Sequence, residues 1–335
     1  MRRIALLIAL LFFVAACSPA ETIDTTTSSP DATATSSPET TTTAVETTTT
    51  TVETTTTSKT AAFPVTVTDA RGEVTIVTMP ESIVSLSSTG TEMLFAVGAG
   101  DQVVAVDEFS TYPEEAPITD LSGFTPNIEA ILSYDPDLVI ISFDPSDLQA
   151  SLDAVDVPSL LLPTAASLDD SYSQLNTIGT ATGHADEAFD VVAQMQGDLD
   201  SIVAGTDVPE GISFYHEVDA TLYSTSSASF LGQIYGLLGM ENIADGADDP
   251  SGFGFPQLAS EYVVSEDPDL IFLGDIDFGV TPESVGERPG WDGMTAVQND
   301  AIVGLDSYLA SNWGPRVVEL LAVIADAVAE YAPAS

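Results

Sequence analysis

The sequence predicts an α/β protein with two parallel-sheet lobes, a long rigid helix that joins them and a ligand cleft between them. One observation is a duplicated segment whose two copies lie 132 residues apart. Another is the alternation of short apolar runs with helical periods around each copy, which is typical of parallel sheets covered by helices. The third is a helical period over residues 169–204, between the copies. Two such units leave a cleft between them, where small ligands usually bind.

The duplicated segment is a short helix that ends at Asp-Pro and leads into a strand. Six positions of the two copies are identical at the same offset: Glu129, Ser133, Asp135, Pro136, Asp137 and Leu138, and then Glu261, Ser265, Asp267, Pro268, Asp269 and Leu270. Proline disfavours helical backbone in the residue before it, so each helix has to stop there. The apolar run that follows in each copy is typical of a strand covered on both faces.

The first lobe is predicted to extend from about residue 63 to residue 168. Valines on both sides of an Arg-Gly turn indicate a hairpin. A short helix over residues 91–97 should end at the glycine that follows, and Asn127 can cap the helix that carries Glu129. The other expected strands are apolar runs bounded by turn residues, at 83–86, 103–106, 138–141 and 159–162.

Residues 169–204 are predicted to be helical, with a weak point at Gly183-His184. Apolar side chains keep the helical period after that point until Gly205. Because this helix lies between the two copies, we expect it to be a stiff connector of the lobes. The second lobe, about residues 205–335, should contain a strand at 212–215, a helix at 230–238, the repeat unit at 260–273, a strand at 302–305 and a final helix from 315 to about 331.

The start of the chain has the features of an exported, lipid-anchored protein. A basic start is followed by an apolar run over residues 4–14, which is too short to span a bilayer and suits a signal-peptide core. Cys17 is the only cysteine, and the apolar residue and two small residues before it resemble the lipobox of bacterial lipoproteins. We therefore expect a signal peptide at residues 1–16 and lipidation of Cys17. The alternative is an ordinary export signal with an incidental cysteine.

Residues 17–62 are expected to be a lipid-anchored, Thr-rich disordered linker. Residues 22–60 contain 20 threonines and almost no large apolar side chains. Such a segment cannot bury enough surface to offset the entropy that ordering would cost. The linker would tether the folded domain, residues 63–335, to the outer face of the cell membrane, so the protein is expected to be extracytoplasmic.

The folded part is strongly acidic. Residues 63–335 contain 46 acidic residues but only three basic ones, Arg71, Arg288 and Arg316, in a chain of formal net charge −46. Binding to nucleic acid is excluded because it needs cations that neutralise phosphates, and adhesion to anionic lipid is disfavoured for the same reason. A ligand with many negative charges would meet at most three arginines.

Motifs spread over residues 64–331 resemble one transport family. The motifs lie at residues 83–107, 112–114, 127–129, 135–138, 239–243, 256–261, 288–291 and 314–316. In order and spacing they are similar to the iron-siderophore and cobalamin class (class III) of ABC-transporter substrate-binding proteins, and to its cobalamin-binding members. The resemblance implies two lobes around a rigid helix, limited closure on the ligand, and delivery of the ligand to a membrane permease. It implies a monomer with no enzymatic activity, no catalytic or metal-binding residues and no cofactor of its own.

The resemblance also gives Glu129 and Glu261 a role. In the family, one acidic residue on each lobe pairs with arginines of the permease, and these residues occupy the first turn of the equivalent helices. Matched placement in both lobes favours docking, since a two-lobed partner needs paired contacts. The alternative is that each Glu only complements the N-terminus of its helix.

Ligand contacts are expected on cleft-facing loops. The family's ligand positions match five aromatic residues here: Tyr112, Phe124, Phe143, Tyr223 and Phe255. Aromatic walls suit a large, flat, partly apolar ligand such as cobalamin or another corrinoid. The cobalamin pattern has an acidic and a basic residue near the last cleft loop, where this chain has Tyr308 and Asn312, with Trp313 adjacent. Arg288 either meets an anionic group of the ligand or braces a loop rich in acids.

Other functions remain alternatives. A ferric siderophore or haem is the second choice of ligand, and for haem an axial ligand could come from His184, His216 or a tyrosine. A zinc or manganese carrier is disfavoured because two separated histidines make a poor cluster. An enzyme is disfavoured because the sequence has no Gly-x-Ser-x-Gly elbow and no convincing Ser-His-Asp placement. A sensor or adhesion module with the same fold is a further alternative.

Overall fold

The computed structural model describes residues 62–331. The described part begins with an antiparallel hairpin of β1 (Val65–Asp69) and β2 (Gly72–Ile76), where the valine pattern predicts one. Arg71 at its turn forms ion pairs with Asp69 and Asp153 and donates to the carbonyl of Ser159. The hairpin is thereby tied to the first sheet.

The first lobe is a five-stranded parallel sheet in the order β5-β4-β3-β6-β7. Its elements are β3 (Ile83–Leu86), α1 (Ser88–Ala96), β4 (Val103–Asp107), β5 (Ile118–Leu121), α2 (Ile128–Leu132), β6 (Leu138–Ile141), α3 (Leu148–Asp153) and β7 (Ser159–Leu161). Helix α1 begins three residues before the expected start, because the Ser87 hydroxyl accepts from the Gly90 amide and caps it there.

The helix predicted over residues 169–204 forms as two helices, because the predicted weak point at Gly183-His184 is a break. α4 (Leu168–Thr182) ends at Gly183, whose φ of +88° is left-handed, and α5 (Ala185–Gly205) begins two residues later. α4 packs against β1 and α1, while α5 packs against α4 and a helix of the second lobe. The connector therefore holds both lobes through side-chain packing.

The second lobe is a four-stranded parallel sheet in the order β11-β10-β8-β9. Its elements are β8 (Ser213–Glu217), α6 (Phe230–Leu237), β9 (Glu241–Asn242), α7 (Ser260–Glu266), β10 (Leu270–Leu273), α8 (Pro282–Gly286), α9 (Thr295–Gln298), β11 (Ile302–Gly304), α10 (Ser307–Ser311) and α11 (Val317–Glu330). The two parallel sheets confirm the predicted fold class.

The apolar core continues from one lobe to the other. One face of β6 and one face of β10 belong to the same hydrophobic cluster, which also contains side chains of α4, α5 and α11. The opposite faces of the two strands belong to separate outer clusters. This alternation explains the unbroken apolar runs of both strands, because residues on both faces are buried.

The duplicated segment has the same structural role in each lobe. Asp135 and Asp267 both have positive φ, at 51° and 47°. The carboxylate of Asp137 accepts from the amides of residues 81 and 82, just before β3, and that of Asp269 accepts from the amide of Ser213, at the start of β8. The second Asp of each Asp-Pro-Asp thus joins the repeated strand to its central neighbour.

Candidate functional site

Both sheets place loops and exposed aromatic rings beyond the carboxyl ends of their strands. In open parallel α/β sheets, ligands bind in the crevice at this edge. The two edges meet where the segment after α10 contacts the start of α1: the hydroxyls of Ser88 and Thr89 donate to Asn312 Oδ1 at 2.8 and 3.0 Å. These contacts join the two lobes at the base of the predicted cleft.

The wall on the first lobe is a row of three phenylalanines. Phe124 lies edge-on to Phe109 at 5.4 Å between centroids and against Phe143 at 5.3 Å, and its side chain is 59% exposed. Gly123 holds the loop against the sheet, because a Cβ there would lie 2.6 Å from the carbonyl oxygen of Leu86. Phe124 and Phe143 are predicted ligand residues, whereas the sequence analysis missed Phe109.

Tyr112 stands beside this row, and an arginine from the second lobe covers its ring. The Arg316 guanidinium carbon lies 4.2 Å from the centre of the Tyr112 ring. Arg316 also forms ion pairs with Glu92 at 3.5 Å and Glu319 at 3.1 Å. The predicted ligand residue Tyr112 is therefore partly exposed and held from one side.

The wall on the second lobe is built on the loop that carries Phe255. The Asp249 carboxylate accepts hydrogen bonds from the amides of Ser251 and Gly254 and from the Ser251 hydroxyl. These bonds lower the pKa of Asp249, and the bond from the hydroxyl has the largest effect. Gly254 has a φ of +81°, and a Cβ there would meet the amide of Ser229 at 2.6 Å. Phe255 is thus presented by an ordered loop.

Tyr223 shares this wall with Phe255. The backbone of Tyr223 pairs with that of Gln257, and the exposed side chains of Tyr223, Phe253 and Phe255 lie on the paired segments. Phe278, after β10, is also exposed at this edge of the sheet. Phe253 and Phe278 escaped the sequence analysis because neither matches a family position.

Tyr308, Asn312 and Trp313 lie on and after α10. Asn312 is buried in the contact with α1, and Trp313 donates from Nε1 to Gln174 of α4 at 2.8 Å. The Trp313 carbonyl accepts from the Ser171 hydroxyl of the same helix. Tyr308 is half-buried. Asn312 and Trp313 thus join the lobes at the base of the cleft, and ligand contact by Tyr308 and Trp313 remains a prediction.

Arg288 is engaged by an acidic residue of its own lobe. Its two terminal nitrogens donate to the two carboxylate oxygens of Glu217 at 2.5 and 2.6 Å, and its guanidinium lies 4.7 Å from the centre of the Trp291 ring. The Glu217 side chain is fully buried. This geometry favours the bracing role, and ligand contact by Arg288 remains a prediction.

Asp275 lies beside this ion pair. Neither of its buried carboxylate oxygens has a hydrogen-bond partner. Burial first, and the nearby charge of Glu217 second, raise the pKa of Asp275 to about 6. The group therefore takes up a proton more readily than an exposed aspartate.

The two histidines do not form a metal centre. His216 is 1% exposed and its Nδ1 lies 2.9 Å from the Tyr235 hydroxyl, and burial lowers the pKa of its imidazole to about 3. His184 lies at the break between α4 and α5. Among residues 62–331, the His, Cys, Asp and Glu side chains form no group of three that could hold a metal ion. His216 occupies the position of a core histidine, which disfavours it as an axial haem ligand.

A sequence profile decides the family. The profile described as periplasmic binding protein matches residues 83–309, which include most of both sheets. The chain belongs to the periplasmic binding protein family. The match confirms the resemblance drawn from the motifs.

Relatives support this membership over most of their length. An uncharacterised ABC transporter substrate-binding lipoprotein of Bacillus subtilis is 31% identical over 283 residues, which cover 81% of this chain and 87% of the relative. A cobalamin-binding protein of Halobacterium salinarum is 29% identical over 286 residues, or 80% of this chain and 75% of the relative. The first relative is thus named as a substrate-binding protein of a transporter and the second as a cobalamin-binding protein.

Solved structures share the fold. The periplasmic vitamin B12-binding protein of Vibrio cholerae aligns with a TM-score of 0.60 at 25% identity, over 75% of this chain and 99% of that one. The periplasmic haem-binding protein of Roseiflexus sp. RS-1 aligns with a TM-score of 0.65 at 23% identity, over 75% of this chain and 99% of that one. At this identity the likeness shows the fold alone. This periplasmic binding protein therefore shares its fold with a vitamin B12-binding protein and with a haem-binding protein.

The two candidate docking residues of this binding protein occupy equivalent positions. Glu129 and Glu261 are each the second residue of their helix, α2 and α7, and both are exposed. Each helix precedes a parallel strand, so its start lies at the carboxyl edge of the sheet, beside the cleft. The geometry fits paired contacts with one partner, and docking remains a prediction.

Cys17, the predicted signal peptide and most of the predicted linker lie outside the described residues. Within residues 62–331, none of the helices combines the length and apolarity that crossing a membrane requires. Lipid anchoring of this binding protein therefore rests on the sequence pattern, and the word lipoprotein appears in the name of the Bacillus subtilis relative.

Proposed function

We propose that this protein is an extracytoplasmic solute-binding lipoprotein that captures cobalamin or a related corrinoid and delivers it to an ABC permease. The supporting observation is that exposed aromatic rings stand on loops at the carboxyl edges of both sheets, and that no arginine of the described residues is free to meet an anionic ligand. Among residues 62–331 the basic side chains other than histidine are Arg71, Arg288 and Arg316, and each pairs with at least one carboxylate. A bulky, weakly charged macrocycle fits such walls better than a trianionic ferric siderophore.

The named relatives support the choice of ligand. The relative from Halobacterium salinarum is a cobalamin-binding protein, and the Vibrio cholerae structure is of a vitamin B12-binding protein. Stacking and burial would supply most of the binding free energy, because exposed aromatic rings line both walls. Haem is the second candidate, since the half-exposed Tyr223 offers a phenol on one wall.

A thermal-shift panel with the purified domain tests the proposal. Cyanocobalamin, haemin and a trianionic ferric catecholate are compared at matched concentrations. A ligand at a thousandfold excess over its dissociation constant stabilises the folded state by about 4 kcal/mol. We expect cyanocobalamin to give the largest increase in melting temperature. A shift with the catecholate or haemin and none with cyanocobalamin would contradict the choice of a corrinoid.

We also propose that Cys17 anchors the protein to the membrane. Cys17→Ser is expected to move the protein from the membrane fraction to the soluble fraction, or to leave the precursor uncleaved, because serine lacks the thiol that receives the lipid. Immunoblotting of cell fractions checks this. A Cys17→Ser protein that is processed normally and stays in the membrane fraction would refute the lipobox interpretation.

A further inference from the structure

A buried joint links the two lobes next to the cleft. The segment from Asn312 to Arg316 in the second lobe lies on α1 of the first. Asn312 accepts from Ser88 and Thr89 and donates from Nδ2 to Glu92 Oε1 at 2.9 Å. Arg316 connects this joint to Tyr112, a predicted ligand residue, because it contacts both Glu92 and the Tyr112 ring.

Glu92 is the charged centre of this joint. It is 4% exposed, and its second oxygen, Oε2, is buried without a hydrogen-bond partner. Gly314 keeps the segment close, because a Cβ there would lie 3.2 Å from that oxygen. A buried carboxylate with one satisfied oxygen pays a desolvation cost that protonation removes.

The charges around Glu92 come from the second lobe. Arg316 lies 3.5 Å away and Glu319 acts on Glu92 from one turn further along α11, while Asp306 acts on Arg316. α4 contributes Ser171 and Gln174 to the joint, and both are neutral. Asp107, a buried acid of the first lobe, accepts a hydrogen bond from the Ser110 hydroxyl. Arg316 is thus the cation that compensates Glu92.

Arg316 connects Glu92 in the joint to the ring of Tyr112. Its guanidinium is shared between Glu92, the exposed Glu319 and the face of the Tyr112 ring. The face of an aromatic ring attracts a guanidinium electrostatically, so the orientation of the Tyr112 ring depends on where the guanidinium lies. When Glu92 is charged, it holds Arg316 over Tyr112. Apart from Glu92, the carboxylates that act on Arg316 are those of Glu319 and Asp306.

We propose that Glu92 and Arg316 are positioning residues that couple the joint between the lobes to Tyr112, so that uptake of a proton by Glu92 weakens ligand binding. The proposal rests on the proposed function for the identity of the ligand but not for the joint itself. Burial, the largest effect, raises the pKa of Glu92 to about 7, and the Asn312 bond and Arg316 oppose it. The change would therefore fall between about pH 6 and pH 8.

The experiment first follows the joint without ligand. Trp313 lies in the joint, whereas Trp291 lies in the core of the second lobe. The part of the tryptophan fluorescence change with pH that is lost in Trp313→Phe therefore reports on the joint. We expect a change with a midpoint near pH 7 in the wild type, its absence in Glu92→Gln and its persistence in Glu319→Gln. An equal change in Glu92→Gln would overturn the proposal.

The experiment then measures cyanocobalamin affinity at pH 6 and pH 8. We expect about three- to tenfold weaker binding at pH 6 in the wild type, and in Glu92→Gln the weaker value at both pH values, because the amide mimics the neutral acid. If the Trp313 fluorescence changes with pH but the cyanocobalamin affinity does not, the proposed coupling between the joint and the ligand site is overturned. If cyanocobalamin does not bind at either pH, the choice of ligand is wrong, and the fluorescence change alone decides the joint.

Discussion

Glu129→Arg or Glu261→Arg is expected to stop ligand uptake by cells while the purified protein keeps its ligand affinity. Both carboxylates are exposed on matched helices at the carboxyl edges of the two sheets, where a permease could contact both lobes together. Like charges placed opposite each other at an interface cost several kcal/mol, and ~3 kcal/mol corresponds to roughly a hundredfold loss of affinity. Uptake of labelled ligand and a binding titration of each variant are the two measurements.

Glu187→Arg provides the matched control for charge reversal. Glu187 is also an exposed acidic residue in the first turn of its helix, but it lies on α5, in the connector. The reversal there should leave uptake close to the wild-type rate. If Glu129→Arg and Glu261→Arg lower ligand affinity as much as uptake, or if Glu187→Arg is equally harmful, the docking role is wrong and the residues serve the helices or the cleft.

Arg288→Ala is expected to destabilise the domain by about 3–5 kcal/mol, because it leaves the buried Glu217 carboxylate without its cation. The bidentate geometry and the Trp291 ring below the guanidinium indicate that this arginine braces the ends of β8 and α8. Urea unfolding at neutral pH measures the loss. Replacing both partners with apolar residues, Arg288→Met with Glu217→Leu, should restore much of the stability, since no uncompensated charge remains.

Arg71→Ala is the control for loss of an arginine. The side chain of its partner Asp69 is also buried, but it keeps hydrogen bonds from the backbone amides of Arg71 and Leu161 when the guanidinium is lost, so a cost nearer 1 kcal/mol is expected. A wild-type unfolding curve for Arg288→Ala, together with loss of binding to an anionic siderophore, would show that Arg288 is a ligand group. That outcome would favour the siderophore alternative over a corrinoid.

Much of the fold follows from local patterns in the sequence. Asp-Pro stops both copies of the repeated helix, and the apolar runs after them form the strands β6 and β10 on which each sheet is built. The pattern does not show why the second Asp of each copy is present. Its partners, the amides near residue 82 and at Ser213, lie more than fifty residues away in the chain, so only the folded sheet brings them together.

Less of the candidate site follows from the sequence. The family resemblance predicted Phe124 and Phe255 as ligand residues. The exposure of a phenylalanine side chain depends on how the loops pack against each other, so Phe109, Phe253 and Phe278 were missed. In the sequence Arg316 lies next to the final helix, whereas the ring of Tyr112 below it comes from a loop of the other lobe. Contacts between residues two hundred positions apart leave no local pattern.

Direct titration of cyanocobalamin into the purified domain, at low and at high salt, tests the central claim. The account predicts saturable binding that changes little with salt, because stacking and burial are not screened. Phe124→Ala and Phe255→Ala should each weaken binding by on the order of 1–3 kcal/mol, as expected for loss of a packed aromatic ring. No binding of cyanocobalamin, with binding of a ferric catecholate that falls steeply with added salt, would contradict it.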